Sequence, residues 1–115
     1  MLIDTDVMDP ETAERIQNLG SITIEAEAYD VLMTQGVTFN QLVVSHVRGD
    51  YGDVKDAQAK WDNDMAMYNR SGECRSIYKL KSGKRVIVST KWNQPLTIIK
   101  MEDESEDMSD MQTRD

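Results

Sequence analysis

The chain has 115 residues and a formal net charge of -8, and hydrophobic residues make up 39% of it. This length supports one domain with a modest core and is too short for two. No apolar run approaches the roughly 18 residues that cross a bilayer, and the first residues lack the basic and apolar regions of a signal peptide. The single cysteine, Cys74, has no partner for an internal disulfide, so we expect a cytoplasmic protein that is not bound to a membrane.

Charge is distributed unevenly along the chain. Residues 1–14 contain acids and no base, and residues 102–115 contain acids with only Arg114 to balance them. The residues between these ends are basic on balance, most strongly from Arg70 to Lys100. We therefore predict an acidic N-terminal extension at 1–18, a single domain at 19–101 and a disordered acidic tail at 102–115.

Two helices are predicted in the first part of the domain, after a short extended segment at 21–24. The first helix covers 24–35 and ends at Gly36, a residue type that favours helix C-termini. Thr38 and Gln41 form a capping-box pattern, which predicts a second helix at 39–47.

A third helix is predicted at 54–68, with Asp53 as its N-cap. Its apolar stripe follows helical spacing and consists of Val54, Ala57, Trp61, Met65 and Tyr68. A stripe of this kind usually faces the core of a small domain.

The remainder alternates between apolar and polar residues, as half-buried strands do. Strands are predicted at 74–80, 85–92 and 96–101, with turns at 82–84 and 93–95. The predicted fold class is therefore α+β, with two or three helices followed by a three-stranded antiparallel β-meander and flexible acidic ends.

The turns determine which side chains share a face of the sheet. A three-residue loop at 82–84 places Leu80 opposite Val86 and Ser76 opposite Thr90, and the second turn places Thr90 opposite Thr97. The three hydroxyls would then form a row on the otherwise apolar face of the sheet.

His46, the only histidine, lies on the apolar face of the second helix. If this helix packs near Ser76, the imidazole meets the hydroxyl row, and Asp50 could fix its tautomer. His46, Asp50, Ser76, Thr90 and Thr97 are therefore the candidate catalytic set, because an imidazole acts as a general acid or base near neutral pH. The alternative is structural: hydroxyls bonding across strands, and a half-buried histidine near a helix end.

The opposite face of the predicted sheet is a basic, solvent-exposed plane that is interrupted by Ile77, Ile87 and Ile98. Its candidate phosphate or nucleic-acid ligands are Arg75, Lys79, Lys81, Arg85 and Lys91, with Lys100 beside them. This face lacks aromatic residues for base stacking, so sequence-specific recognition of single strands is not expected. The acidic tail either remains solvated or folds over this face.

No metal or cofactor is expected. One histidine and one cysteine are too few for a closed zinc site, and the aspartates lack the spacing of a calcium loop. The sequence also lacks the glycine-rich motifs that hold nucleotide phosphates.

One segment carries a family resemblance: His46-Val47-Arg48-Gly49-Asp50-Tyr51-Gly52-Asp53. With Asn63, Ser76, Tyr78, Thr90 and Thr97 in the same order, the chain resembles a group of short bacterial "plasmid-related" proteins of plasmids, integrated elements and phages. Some of these are labelled type I restriction subunit M.

The resemblance spans roughly residues 19–101, and both acidic ends lie outside it. Tyr51 stands where that group usually has Trp, the Arg of its last turn is replaced by the Trp92-Asn93-Gln94 region, and its closing segment differs at 100–103. What the resemblance implies is a mobile-element setting rather than a specific activity.

Two functions follow as hypotheses. The first is a non-enzymatic accessory protein that binds a host or element protein, such as a restriction or CRISPR effector complex, with acidic ends that mimic nucleic acid. The alternative is a small metal-independent ribonuclease or toxin, with His46 as general acid or base and Arg48 or Arg75 as phosphate ligand. A transcriptional regulator is less favoured, because the helices are not basic.

Overall fold

The computed structural model describes residues 9–54, 56–93 and 96–102. The acidic ends are predicted to be flexible, and most of their residues, 1–8 and 103–115, lie outside the described ranges. Gln94 and Pro95 of the second predicted turn also lie outside them.

Four helices and four strands make up the described chain. The helices are α1 (Pro10–Gln17), α2 (Ala26–Gln35), α3 (Phe39–Val47) and α4 (Ala57–Asn69). The strands are β1 (Ser21–Ile24), β2 (Glu73–Lys79), β3 (Arg85–Lys91) and β4 (Leu96–Met101). The α+β class is confirmed.

The sheet differs from the prediction in strand number and type. It has four strands in the order β1-β4-β3-β2, and β1 runs parallel to β4 while the other two pairs are antiparallel. The prediction of three antiparallel strands is therefore wrong in detail. The reason is that β1 is short and its partner lies far away in sequence, so no local turn signals the pairing.

One of the two predicted strand registers is correct. Thr90 lies opposite Thr97, as predicted. In the first hairpin, however, Ser76 lies opposite Val88 and Cys74 opposite Thr90, because the chain turns one residue earlier than predicted. The register is shifted by two residues, and an even shift leaves every side chain on its predicted face.

Local capping signals determine the ends of α2 and α3. The Thr38 side chain accepts from the Gln41 N–H and the Gln41 side chain accepts from the Thr38 N–H, completing the predicted capping box. Gly36 ends α2 in the left-handed conformation, at φ 70°. By contrast, α4 begins three residues later than predicted, because Asp56 rather than Asp53 caps it.

Helix α1 belongs to the folded core. Asp9 caps it through the Thr12 N–H, Pro10 occupies its first turn, and Ile16 is buried. Leu19, which follows the helix, is fully buried. The predicted acidic extension at 1–18 therefore includes a helix that packs on the domain.

The helices cover one face of the sheet. Ile16 of α1, Leu32 of α2 and Val43 of α3 pack with Val88 and Ile99 of the sheet. Helix α4 joins this layer at the β2 side, where Ala66 packs with Tyr51 and Cys74. We call the opposite side of the sheet, which these helices leave open, the back face.

None of the helices that the structure describes is long and apolar enough to cross a membrane.

Candidate functional site

His46 lies where α3 meets the sheet, and the structure brings it to the hydroxyl row. Its Nδ1 is 2.6 Å from the Ser76 Oγ, and its Nε2 is 3.0 Å from the Thr90 Oγ1. Thr90 and Thr97 are joined by a hydrogen bond of 2.7 Å between their hydroxyl oxygens. Helix α3, β2, β3 and β4 thus each contribute one polar side chain to a single connected network.

The network has a consistent direction of proton donation. The Thr97 hydroxyl donates to the Leu19 carbonyl oxygen, 3.3 Å away, because a carbonyl can only accept. Thr97 must then accept from the Thr90 hydroxyl, and Thr90 must accept from the Nε2–H of His46. This assignment leaves Nδ1 as the acceptor for the Ser76 hydroxyl, so the neutral Nε2–H tautomer satisfies every member.

The network is sealed from solvent. His46, Ser76, Thr90 and Thr97 are each 0% exposed. Burial removes the water that would solvate an imidazolium and lowers the pKa of His46 to about 4. The side chain is therefore neutral at physiological pH, and the described fold gives a substrate no path to its ring nitrogens.

The structure does not bring Asp50 into this network. Its side chain is exposed and accepts from the Gly52 N–H, while its backbone carbonyl accepts from the Tyr78 hydroxyl at 2.7 Å. Both ring nitrogens of His46 already face hydroxyls, so the predicted role of Asp50 in fixing the histidine tautomer is wrong. Arg48, the proposed phosphate ligand, lies near Asp9, with a nitrogen–oxygen distance of 3.5 Å.

Residues 51–53, from the segment that carries the family resemblance, close the free edge of β2. The Ile77 N–H donates to the Tyr51 carbonyl at 2.9 Å, and the Asp53 N–H donates to the Ile77 carbonyl at 2.6 Å. Gly52 is required between them, because it has φ +70° and a Cβ there would collide with the Ile77 carbonyl oxygen. The segment thus forms a single parallel bridge to β2 at Gly52 and Ile77.

Asn63 closes the neighbouring stretch of the same edge. Its Nδ2 donates to the Arg75 carbonyl at 2.8 Å, and its Oδ1 accepts from the Arg75 N–H at 3.0 Å. An unpaired strand edge invites pairing with another chain, and these contacts prevent it. The sequence did not predict this role, because Asn63 lies off the apolar stripe; its place in the family resemblance was the one signal that marked it.

The predicted interruption of the basic plane by isoleucines lies at the centre of the back face, and the centre is buried rather than exposed to solvent as predicted. Ile87 is 0% exposed and Ser89 is 9% exposed, although both lie on this face. Ser89 donates to the carboxylate of Glu73 at 2.6 Å, which places an acid on the same surface. The face is therefore an apolar centre with charged margins.

The predicted phosphate ligands lie around these margins. Arg75, Lys79 and Lys91 are exposed on the strands, whereas Lys81 lies in the first hairpin loop. Arg85 is half-buried and forms ion pairs with Asp53 at 3.2 Å and Glu102 at 3.8 Å. Nucleic-acid binding by these residues remains a prediction.

Metal-binding and thiol chemistry find little support in the described part of the chain. No group of three or more His, Cys, Asp or Glu side chains there is placed to hold a metal ion. Cys74 is fully buried, and burial raises the pKa of its thiol to about 12. A thiol that stays protonated is a poor nucleophile and a poor metal ligand.

Helix α4 exposes the three large members of the predicted apolar stripe, which hydrophobic spacing alone would place against the core. Trp61 is 57% exposed, Met65 36% and Tyr68 84%. The buried side of α4 carries Asn63 and Ala66 instead. We call Trp61, Met65 and Tyr68 the α4 stripe. Tertiary contacts rather than hydrophobic spacing determine the helix orientation, because Asn63 must reach the edge of β2.

A cleft of about 560 Å³ lies beside the α4 stripe, between α1, the end of α3 and α4. Met65 and Tyr68 line it together with Val47, Met67 and Trp92. The indole Nε1 of Trp92 is buried and has no hydrogen-bond partner among the described residues. Charged side chains, among them Glu11, Arg15 and Arg70, also line the cleft, so its walls are mixed in character.

Comparison with known proteins adds no relative. No protein-family model matches the chain, and neither the curated proteins nor the solved structures give a significant match. The resemblance to plasmid-related proteins therefore stays an expectation from the sequence.

Proposed function

We propose that this chain is a small accessory protein of a phage or plasmid that acts by binding a host or element protein through the α4 stripe. The observation that carries the proposal is the exposure of Trp61, Met65 and Tyr68 along one side of a single helix. The mobile-element setting rests on the family resemblance alone.

The composition of the α4 stripe supports an interface. Large aromatic side chains and methionine are enriched in protein–protein contacts, and buried tryptophan and tyrosine contribute much of the binding free energy. Positions 61, 65 and 68 are one and two helical turns apart, so one partner surface can cover all three. The adjoining cleft offers apolar residues such as Met67 and charged residues such as Arg70 to a side chain of that partner.

Charge favours a basic partner. Asp62 and Asp64 border the stripe on α4 and Asp56 caps the same helix, while Lys60 beside Trp61 is paired with Asp64 at 3.6 Å. The whole chain has a net charge of -8, which speeds encounters with positively charged surfaces. Proteins that process nucleic acid, including restriction and CRISPR effectors, present such surfaces, so counter-defence is the role we favour.

The ribonuclease alternative is less well supported. A general acid or base must come within hydrogen-bonding distance of its substrate. The burial of His46, its low pKa and its two hydroxyl partners all weigh against that role.

The proposal is tested with tagged protein and host lysate, followed by an affinity measurement with the purified partner. Trp61→Ala/Tyr68→Ala should weaken binding about tenfold or more, since loss of interface anchors costs more than about 1.4 kcal/mol. The matched control is Tyr29→Ala/Met33→Ala, which removes two exposed side chains from α2 and should leave the affinity unchanged.

Two results would count against the proposal. Equal loss of affinity in both variants would show that the α4 stripe is not the contact surface. Recovery of RNA alone, with cleavage that is lost in His46→Ala, would favour the ribonuclease.

A further inference from the structure

The back face of the sheet has an apolar centre that none of the described helices covers. Ile87 lies directly opposite Ile77 on β2, and Ile98 on β4 is its diagonal neighbour. Ile87 is 0% exposed, yet it belongs to neither cluster of the helix-covered core. Ile87 is thus already covered, and the half-buried Ile77 and Ile98 beside it are the apolar surface that a further segment would cover.

Cations surround this centre, and two of them lie against each other. Lys79 is directly opposite Arg85, and Lys100 is directly opposite Ile87. Like charges in opposing positions destabilise a strand pair. Asp53 and Glu102 partly offset the charge of Arg85, but within the described residues neither Lys79 nor Lys100 has an ion-pair partner. The face therefore favours an anionic segment with apolar side chains.

The described chain leaves the sheet beside this surface. The Glu102 N–H donates to the Arg85 carbonyl at 2.8 Å, and a Glu102 carboxylate oxygen lies 3.8 Å from the Arg85 guanidinium. The next residues, Asp103, Glu104, Glu106, Asp107 and Asp110, are acidic, and Met108 and Met111 lie among them. Residues 103–115 reach up to about 40 Å when extended, whereas four strands span only about 15 Å.

We propose that the back face is a docking site for residues 103–115 of the same chain. The carboxylates neutralise Lys79, Lys100 and the Lys79–Arg85 pair, and Met108 and Met111 cover the isoleucine centre. Docking in cis makes the basic surface unavailable to other polyanions, and it is independent of the partner surface on α4.

The test uses the full chain with isotope-labelled isoleucine methyl groups. In the variant D103N/E104Q/E106Q/D107N/D110N, the methyl resonances of Ile77, Ile87 and Ile98 should shift. Those of Ile16 and Ile99, which lie in the helix-covered core, should stay in place. In the unchanged protein, 1 M salt should produce the same shifts, because the Debye length falls to about 3 Å.

The matched control is D4N/D6N, which removes acids from the other end of the chain and should leave all these resonances unchanged. Unchanged back-face resonances in the C-terminal variant would overturn the proposal. Shifts that depend on protein concentration would assign the site to a second copy. Shifts that appear on nuclease treatment of the unchanged protein would assign it to bound nucleic acid. Either of these last two results also overturns docking in cis.

Discussion

Two regions of the molecule reverse the usual placement of polar and apolar side chains. Beneath α3, His46 and three hydroxyls are fully buried, whereas on α4 the side chains of Trp61 and Tyr68 face solvent. In the buried region each side chain has a hydrogen-bond partner, so it is complete without a ligand. Covering the exposed side chains of α4 with another surface would lower the free energy, which makes this region the better candidate for function.

The largest expected effect comes from breaking the buried network at its centre. His46→Leu leaves the hydroxyls of Ser76 and Thr90 without their imidazole partner, and each unsatisfied buried group costs about 1–3 kcal/mol. We expect the free energy of unfolding to fall by about 2–5 kcal/mol in urea denaturation.

A combined variant separates lost hydrogen bonds from lost packing. Adding Ser76→Ala to His46→Leu removes the hydroxyl that donated to Nδ1, while the Thr90 hydroxyl still donates to Thr97, and part of the lost stability should return. A His46→Leu variant as stable as the unchanged protein would show that the network is open to water and would reopen the catalytic hypothesis.

The second prediction concerns pH. The pKa of His46 is about 4 in the folded protein and about 6.5 in the unfolded chain, so the unfolded chain binds a proton first as the pH falls. The contribution of neutral His46 is therefore fully present above pH 6.5 and is lost progressively down to about pH 4. The total loss is about 3 kcal/mol.

The measurement is urea denaturation from pH 7.5 to 4.5, with His46→Leu as the reference that lacks this titration. Carboxylates contribute in both proteins, so the difference between the two curves isolates His46. Parallel curves would show that the imidazole titrates equally in the folded and unfolded states, as an accessible catalytic histidine would.

Local signals predicted most of the fold, and contacts distant in sequence account for what they missed. The capping box at Thr38 and Gln41 and the pairing of Thr90 with Thr97 were predictable because neighbouring residues determine them. The parallel pairing of β1 with β4 was not, because no turn connects the two strands. The first hairpin register was missed by two residues, since loops one residue apart have similar sequence signals.

The candidate site was predicted in the same uneven way. Strand alternation placed Ser76, Thr90 and Thr97 on one face, and helical spacing placed His46 on the apolar face of the second helix. These four side chains do meet. Their complete burial was not predictable from the pattern. Hydrophobic spacing also favoured the wrong side of α4 as the buried one. The spacing carries no information about the hydrogen bonds between Asn63 and the edge of β2.

The third prediction tests that explanation of α4. Asn63→Ala leaves the N–H and carbonyl of Arg75 without their side-chain partner and should reduce the free energy of unfolding by about 1–3 kcal/mol. Asn69→Ala, at the exposed end of the same helix, is the matched control and should have little effect. If the two variants were equally stable, the edge contact would not be what orients α4.

The smallest expected effect on stability is at the α4 stripe, and it sharpens the comparison most. Because Trp61 and Tyr68 are mostly exposed, Trp61→Ala/Tyr68→Ala should change the free energy of unfolding by no more than about 0.5 kcal/mol per site. Leu32→Ala in the core, measured in the same assay, should cost about 2–5 kcal/mol. A loss approaching that of Leu32→Ala would mean that the aromatic side chains already pack against this chain and are not available to a partner. Unchanged stability together with weakened partner binding would instead show that they serve binding rather than folding.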